Sequence, residues 1–178
     1  VVLIAWIFQL SAWIAVPAAA TITLLAALNH RIRVLPAVED VERHSYGTIA
    51  YGASITLLLL FFWPQRPDCV VAGVMVMALG DGLAGLVGPL LTSPTWRVFG
   101  QRRSLIGTGV MGSVSLLVLA ALAALAPALE VVIAPSPAAL LGMALLATLL
   151  EQLALFGIDN LTVPLSVGVL WCVLSSGG

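Results

Sequence analysis

The stretch CVVAGVMVMALGDGLAGLVGPLL, residues 69–91, is apolar throughout except for one ionisable group, Asp81. Its length suits a membrane-spanning helix, which needs about 20 apolar residues. A charged side chain at bilayer depth costs roughly 2.5–3.5 kcal/mol on insertion scales, so such a group is retained where it faces a protein interior, a partner charge or a metal. A second carboxylate, Glu151, sits in another apolar run, ALLGMALLATLLEQLALF. The pair points to a polar site inside a lipid-embedded bundle.

Composition agrees. Of 178 residues, 61% are hydrophobic and 8% charged, and the mean hydropathy is +1.15. The expectation is an all-α, polytopic transmembrane helix bundle forming one integral-membrane domain over residues 1–178. A net charge of −1 provides no basic field for nucleic acid. The seven basic residues are all Arg, whose planar fork suits phosphate better than the point charge of Lys. Cys69 and Cys172 lie in apolar runs without metal-ligand spacing and read as small buried hydrophobes. The chain opens on Val1 and runs directly into an apolar segment, which suggests a truncated amino terminus rather than a signal peptide.

Six candidate spans follow: residues 1–28, 46–63, 69–91, 105–126, 138–156 and 161–174, with Pro17 expected to kink the first. Arg31, Arg33 and Arg43 fall in the first loop and Arg97, Arg102 and Arg103 in the third, while the second has only Arg66. Cytoplasmic loops are enriched in Arg, so the odd-numbered loops are expected on the cytoplasmic side. The clusters ERHSYGT (42–48), FGQRRSLIGT (99–108) and GIDNLTVP (157–164) would then share one face, with Asp81 and Glu151 just beneath them. Tyr46, Trp63, Trp96 and Trp171 fit an aromatic belt at helix ends.

Carboxylates, arginines and helix amino termini meeting at one mouth suit chemistry on a metal-bound phosphate. Ser104 would cap the fourth helix, and Gly107 would allow close backbone approach beside Arg102 and Arg103. Each residue also has a plainer role. Gly80, Ala84 and Gly88 repeat at four-residue spacing and suit close helix packing. Asp81 could pair with an Arg, and Glu151 with Gln152 or Thr148. Asp159 and Asn160 could cap the sixth helix, and Arg102 and Arg103 could serve only as topology determinants. An ion-coupled transporter would use Asp81 and Glu151 at the midplane, but the two halves show no matching broken helices.

The order ER-x-x-YGT, LGDGLAGLVG (79–88), Arg-Ser-x-x-Gly-Thr (103–108) and GIDNLTVP resembles the phytol kinase and dolichol kinase family of polyprenol kinases, which is similar in turn to membrane enzymes of the CDP-diacylglycerol synthase type. The resemblance covers about residues 42–164. It implies phosphoryl transfer from CTP, or another nucleoside triphosphate, to a long isoprenoid alcohol with Mg²⁺ as cofactor. A cytidylyltransferase acting on a lipid phosphate is the alternative. By resemblance, Asp81 and Asp159 are metal ligands, and one of Asp81, Asp159 and Glu151 assists deprotonation of the alcohol. Arg43, Arg102, Arg103, Ser104, Gly107, Thr108 and Asn160 are expected to bind nucleotide or phosphate. The sequence departs from the family pattern in having Arg103 where Lys is usual and Ile106 where many members have Glu. The basic-His motif seen near the start of many members is not evident, His30-Arg31 being at best a distorted echo of it.

Overall fold

A computed structural model of the chain describes residues 6, 10–32, 46–126 and 133–175. These residues form six helices: α1 (Ala12–Ile32), α2 (Gly47–Phe62), α3 (Pro67–Leu90), α4 (Leu105–Leu125), α5 (Pro137–Leu153) and α6 (Asp159–Ser175). The expected all-α bundle is thus observed, with the boundaries of α2 to α6 close to those anticipated, whereas α1 runs from Ala12 to Ile32 rather than over 1–28. Pro17 lies inside α1, which continues through it. Only α1, α3 and α4 are both long and apolar enough to cross a membrane, whereas α2, α5 and α6 have 16 or 17 residues.

Four helices form a ring in which α3 touches α4, α4 touches α5, α5 touches α6, and α6 returns to α3. Outside the ring, α2 packs on α3 and α6, and α1 packs on α2. Small residues allow the close approaches. A Cβ at Gly168 would lie 2.8 Å from the Cys69 carbonyl oxygen, and one at Gly73 would collide with the Pro164 carbonyl, so α3 and α6 meet nearly backbone to backbone. The 80-84-88 seam packs against α4 as its spacing suggested. A Cβ at Gly80 would stand 2.8 Å from Met111 Sδ, and one at Gly88 3.4 Å from the Gly107 Cα. Outer faces remain apolar and exposed, with Trp13 on α1 90% exposed, as a lipid environment permits.

Two features of the fold were not anticipated. Residues Val76–Asp81 of α3 form a π-helical turn ending on Asp81, a rare arrangement found often at functional sites. Between α3 and α4 stands an antiparallel hairpin, β1 (Thr95–Val98) and β2 (Gln101–Ser104), with Val98 paired to Gln101. Its connecting residues, Phe99 and Gly100, both have positive φ (49° and 82°), as a two-residue I′ turn requires. The same Phe-Gly pair recurs between α5 and α6, where Phe156 (φ 53°) and Gly157 (φ 82°) turn the chain and Ile158 N–H donates to the Leu155 carbonyl at 3.0 Å.

The aromatic-belt expectation needs correction at two positions. Trp171 is fully buried, its indole donating to Asp68 Oδ2 at 2.9 Å, and Trp63 is buried with its indole donating to the Leu10 carbonyl at 2.7 Å. Each finds a protein acceptor for its N–H, which removes the reason to seek the interface. Trp96 and Tyr46 are exposed. Cys69 is buried and Cys172 half-buried, as the composition suggested.

Candidate functional site

Each helix of the ring, or the element leading into it, delivers one charged group to the same end of the bundle. The π turn of α3 ends on Asp81, the last turn of α5 carries Glu151, and α6 begins on Asp159. One carboxylate oxygen from each of these three residues lies within 4.8 Å of the others. Immediately before α4, β2 supplies Arg103.

Arg103 is the organising cation. Its Nη1 donates to Glu151 Oε1, and its Nη2 donates to the carbonyls of Glu151 and Ala154, at 2.6 and 3.4 Å. A single guanidinium thereby neutralises Glu151 and closes the carboxyl end of α5, where unpaired carbonyls and the helix dipole favour a cation. The other Glu151 oxygen, Oε2, accepts from Gln152 Nε2 at 2.7 Å. An ionised carboxylate only accepts, so Gln152 must present its amide nitrogen there. Gln152 Oε1 and Arg103 Nε are then left buried without a partner.

The remaining groups have local structural work. Ser104 Oγ caps α4 by accepting from Gly107 N–H at 3.1 Å, and Thr108 Oγ1 donates to the Ser104 carbonyl at 2.9 Å. Asp159 Oδ1 accepts from the N–H of its neighbour Asn160 at 3.1 Å, in the first turn of α6. Asp81 has no hydrogen-bond partner among the described residues, so the carboxylate carried by the π turn is the freest of the three.

Beside the trio lies a cavity of about 610 Å³. It exists because α3 continues for nine residues beyond Asp81, about 14 Å at helical rise, whereas α5 stops at Leu153, close after Glu151. Asp81, Glu151 and Gln152 line one part of it, and Arg102, Arg103 and Ser104 another. Gly107 and Thr108 also reach its wall, whereas Asn160 does not. Arg43 lies outside the described residues, as do Glu42 and His44. Ile106 half-faces solvent at the start of α4, and its N–H donates to Ser93 Oγ at 3.4 Å.

Sequence reasoning did not single out Gln152 as part of the cavity, nor Thr92, Ser93 and Thr95, which supply hydroxyls at its rim. The Thr-Ser pair directly after Leu91 is the one signal that could have shown them, as the first polar residues after a long apolar run.

The donor set fits a hard divalent cation. Oxygen ligands at 2.0–2.1 Å from Mg²⁺ stand about 4.2 Å apart when opposed, so small side-chain adjustments would bring a trio spaced within 4.8 Å onto one ion. Charge favours it too. Three carboxylates share one paired guanidinium, and excess negative charge in a low-dielectric interior is costly without a compensating cation.

An all-helical bundle whose inner ring converges acidic groups and a guanidinium on a cavity at one end is the class that this fold and site define. The chain is 39% identical over 166 residues to the phytol kinase of Synechocystis sp., an alignment covering 93% of this chain and 70% of that protein. No family profile matches, and no solved structure matches. At that identity and coverage, the chain belongs to the phytol kinase family.

Proposed function

We propose that this protein is a membrane kinase that transfers the terminal phosphoryl group of a nucleoside triphosphate, CTP by family resemblance, to the hydroxyl of phytol or a similar long isoprenoid alcohol. The observation that carries this reading is the cluster of Asp81, Glu151 and Asp159 beside a cavity that Asp81, Glu151 and Arg103 line, in a chain similar to a phytol kinase. The alcohol's apolar tail suits lipid and its hydroxyl suits the bundle end, where a nucleotide arrives from water. Arg31 ends α1, and His30 stacks near Tyr46 with ring centroids 4.9 Å apart, while Tyr46 N–H donates to the Phe156 carbonyl at 3.0 Å. Arg31, Arg97, Arg102 and Arg103 therefore gather at the site's end, which supports a cytoplasmic active face.

In the reaction the alcohol oxygen forms a bond to the terminal phosphorus. The bond from that phosphorus to the bridging oxygen breaks, the nucleoside diphosphate leaves, and the hydroxyl proton passes to a carboxylate. Asp81 suits that last role because no donor occupies its oxygens, whereas Glu151 is held by Arg103 and Gln152. Asp81 and Asp159 would hold Mg²⁺, which when bound offsets charge on the phosphates. Arg102 and Arg103 provide further positive charge, and the capped amino terminus of α4 at Ser104 and Gly107 offers N–H groups to a phosphate.

The test is a membrane assay with labelled CTP or ATP and a panel of prenyl alcohols, with Asp81→Asn as control. Label appearing in the alcohol only with intact Asp81 supports the reading. Label reaching no alcohol rejects it, and pyrophosphate release with a lipid phosphate would favour the cytidylyltransferase alternative.

A further inference from the structure

Glycine in a helix interior is unfavourable relative to alanine unless something requires it. At Gly73, Gly80, Gly88, Gly107 and Gly168 close neighbours provide the requirement, since an added Cβ would stand within 3.4 Å of another atom or collide with it. At Gly82, Gly85, Gly109 and Gly142 a Cβ would meet nothing within 4 Å, so packing does not call for its absence. Of these four, Gly85 alone is part of the cavity wall, between Ala84 and Gly88 and followed by Pro89 and Leu91. A side chain at this position would enter the cavity itself.

The surroundings say what the space is for. On the α3 side the cavity wall from Ala84 to Leu91 is hydrocarbon and bare backbone, whereas hydroxyls and guanidinium groups come from Thr92 and Ser93 after the helix, from the hairpin and from α4. Further around the helix from Gly85, past the exposed Gly82 and Pro89, runs a face of exposed leucines, Leu83, Leu86 and Leu90, which begins about 100° away at Leu86. The apolar wall therefore continues from the carboxylate Asp81, across Gly85, onto the outer surface of α3.

We propose that Gly85 is a specificity-determining position, the gap across which the hydrocarbon chain of the alcohol leaves the carboxylate site toward the leucine face of α3. This rests on the prenyl alcohol kinase reading above. The hydroxyl end would sit by Asp81, and the first part of the chain would lie over Gly85. The phosphates would keep to the opposite, arginine-bearing wall.

The experiment is a size series, Gly85→Ala, Gly85→Leu and Gly85→Phe, assayed in membranes with phytol and with the short alcohol prenol. Thermal melting in detergent accompanies it to confirm folding, which the open space at this position favours. Expected is a fall in the phytol-to-prenol ratio of kcat/KM that grows with side-chain size, to about tenfold or more for Gly85→Phe, carried mainly by the KM for phytol. A ratio unchanged in a folded Gly85→Phe protein overturns the inference while leaving the kinase reading intact. So does a rise confined to the KM for nucleotide, which would assign the gap to the other substrate. A wild-type protein that phosphorylates neither alcohol overturns the kinase reading and this inference together.

Discussion

Arg103 and Glu151, 48 residues apart in the chain, form a buried ion pair whose side chains are 14% and 8% exposed. The pair joins the hairpin to the end of α5 and forms part of the cavity wall. Arg103→Ala or Glu151→Ala alone is expected to destabilise the protein, by less than the roughly 3–5 kcal/mol of a fully buried pair because the cavity lets water reach the surviving charge. Replacing both with apolar residues of similar size should cost less than the sum of the single changes. Denaturation of the purified protein in detergent, run as a double-mutant cycle, reads this coupling directly.

Asp81→Asn tests the opposite kind of residue. No hydrogen bond holds the Asp81 side chain among the described residues, so the substitution should change the melting temperature little. Loss of a general base or metal ligand typically costs about a hundredfold or more in turnover. The expected result is a folded protein with kcat reduced by that order, and a metal requirement shifted to higher Mg²⁺ concentration.

At the far end of the bundle Asp68 performs a purely structural task. It accepts from Arg66 Nε at 3.0 Å and from the buried Trp171 indole at 2.9 Å, and Arg66 also donates to Ser175 Oγ. The hydrogen bonds that Arg66 donates to the Asp68 carboxylate raise its guanidinium further above its ordinary pKa. Asp68→Ala leaves the indole N–H without an acceptor, a loss of about 1–3 kcal/mol. Stability should fall while kcat per folded molecule stays near wild type, since this cluster and the cavity share no residue.

Gly168 is expected to be intolerant of any side chain. A Cβ there would stand 2.7 Å from Leu58 Cδ2 and 2.8 Å from a backbone oxygen of α3, and the backbone cannot yield cheaply. Gly168→Ala should cost about 1–3 kcal/mol, whereas Gly142→Ala, with nothing within 4 Å, should stabilise the protein by about 0.5–1 kcal/mol. Parallel melts of the two variants make the comparison.

The helices were legible because a lipid-facing segment has to satisfy every backbone group internally, which imposes long apolar runs with sharp polar ends. Gly80, Ala84 and Gly88 announced their seam for the same reason, as small residues at fixed spacing. The hairpin escaped notice because TWRV and QRRS are short, largely exposed and free of the Asn-Gly or Asp-Gly turn that usually marks such a loop. Asp81 stood out in sequence as an acid awaiting a partner, yet the arginine went to Glu151 instead. That choice depends on where α5 ends relative to the hairpin, a distance that no local pattern encodes. Trp171 and Trp63 were misjudged because their acceptors, Asp68 and Leu10, lie 103 and 53 residues away.

The π turn over Val76–Asp81 fits one more residue into its loop of backbone than an ordinary turn would hold. Every side chain beyond it is swung by about 100° compared with an unbroken α-helix. The aim of the acid is therefore written in a head count, while Val76 and Met77 of the same turn are buried in the core and Ala78 and Leu79 face outward. Alanine at position 79 would leave that aim intact, whereas excising a single residue such as Ala78 would turn Asp81 and the whole distal half of α3 away from their partners in one stroke.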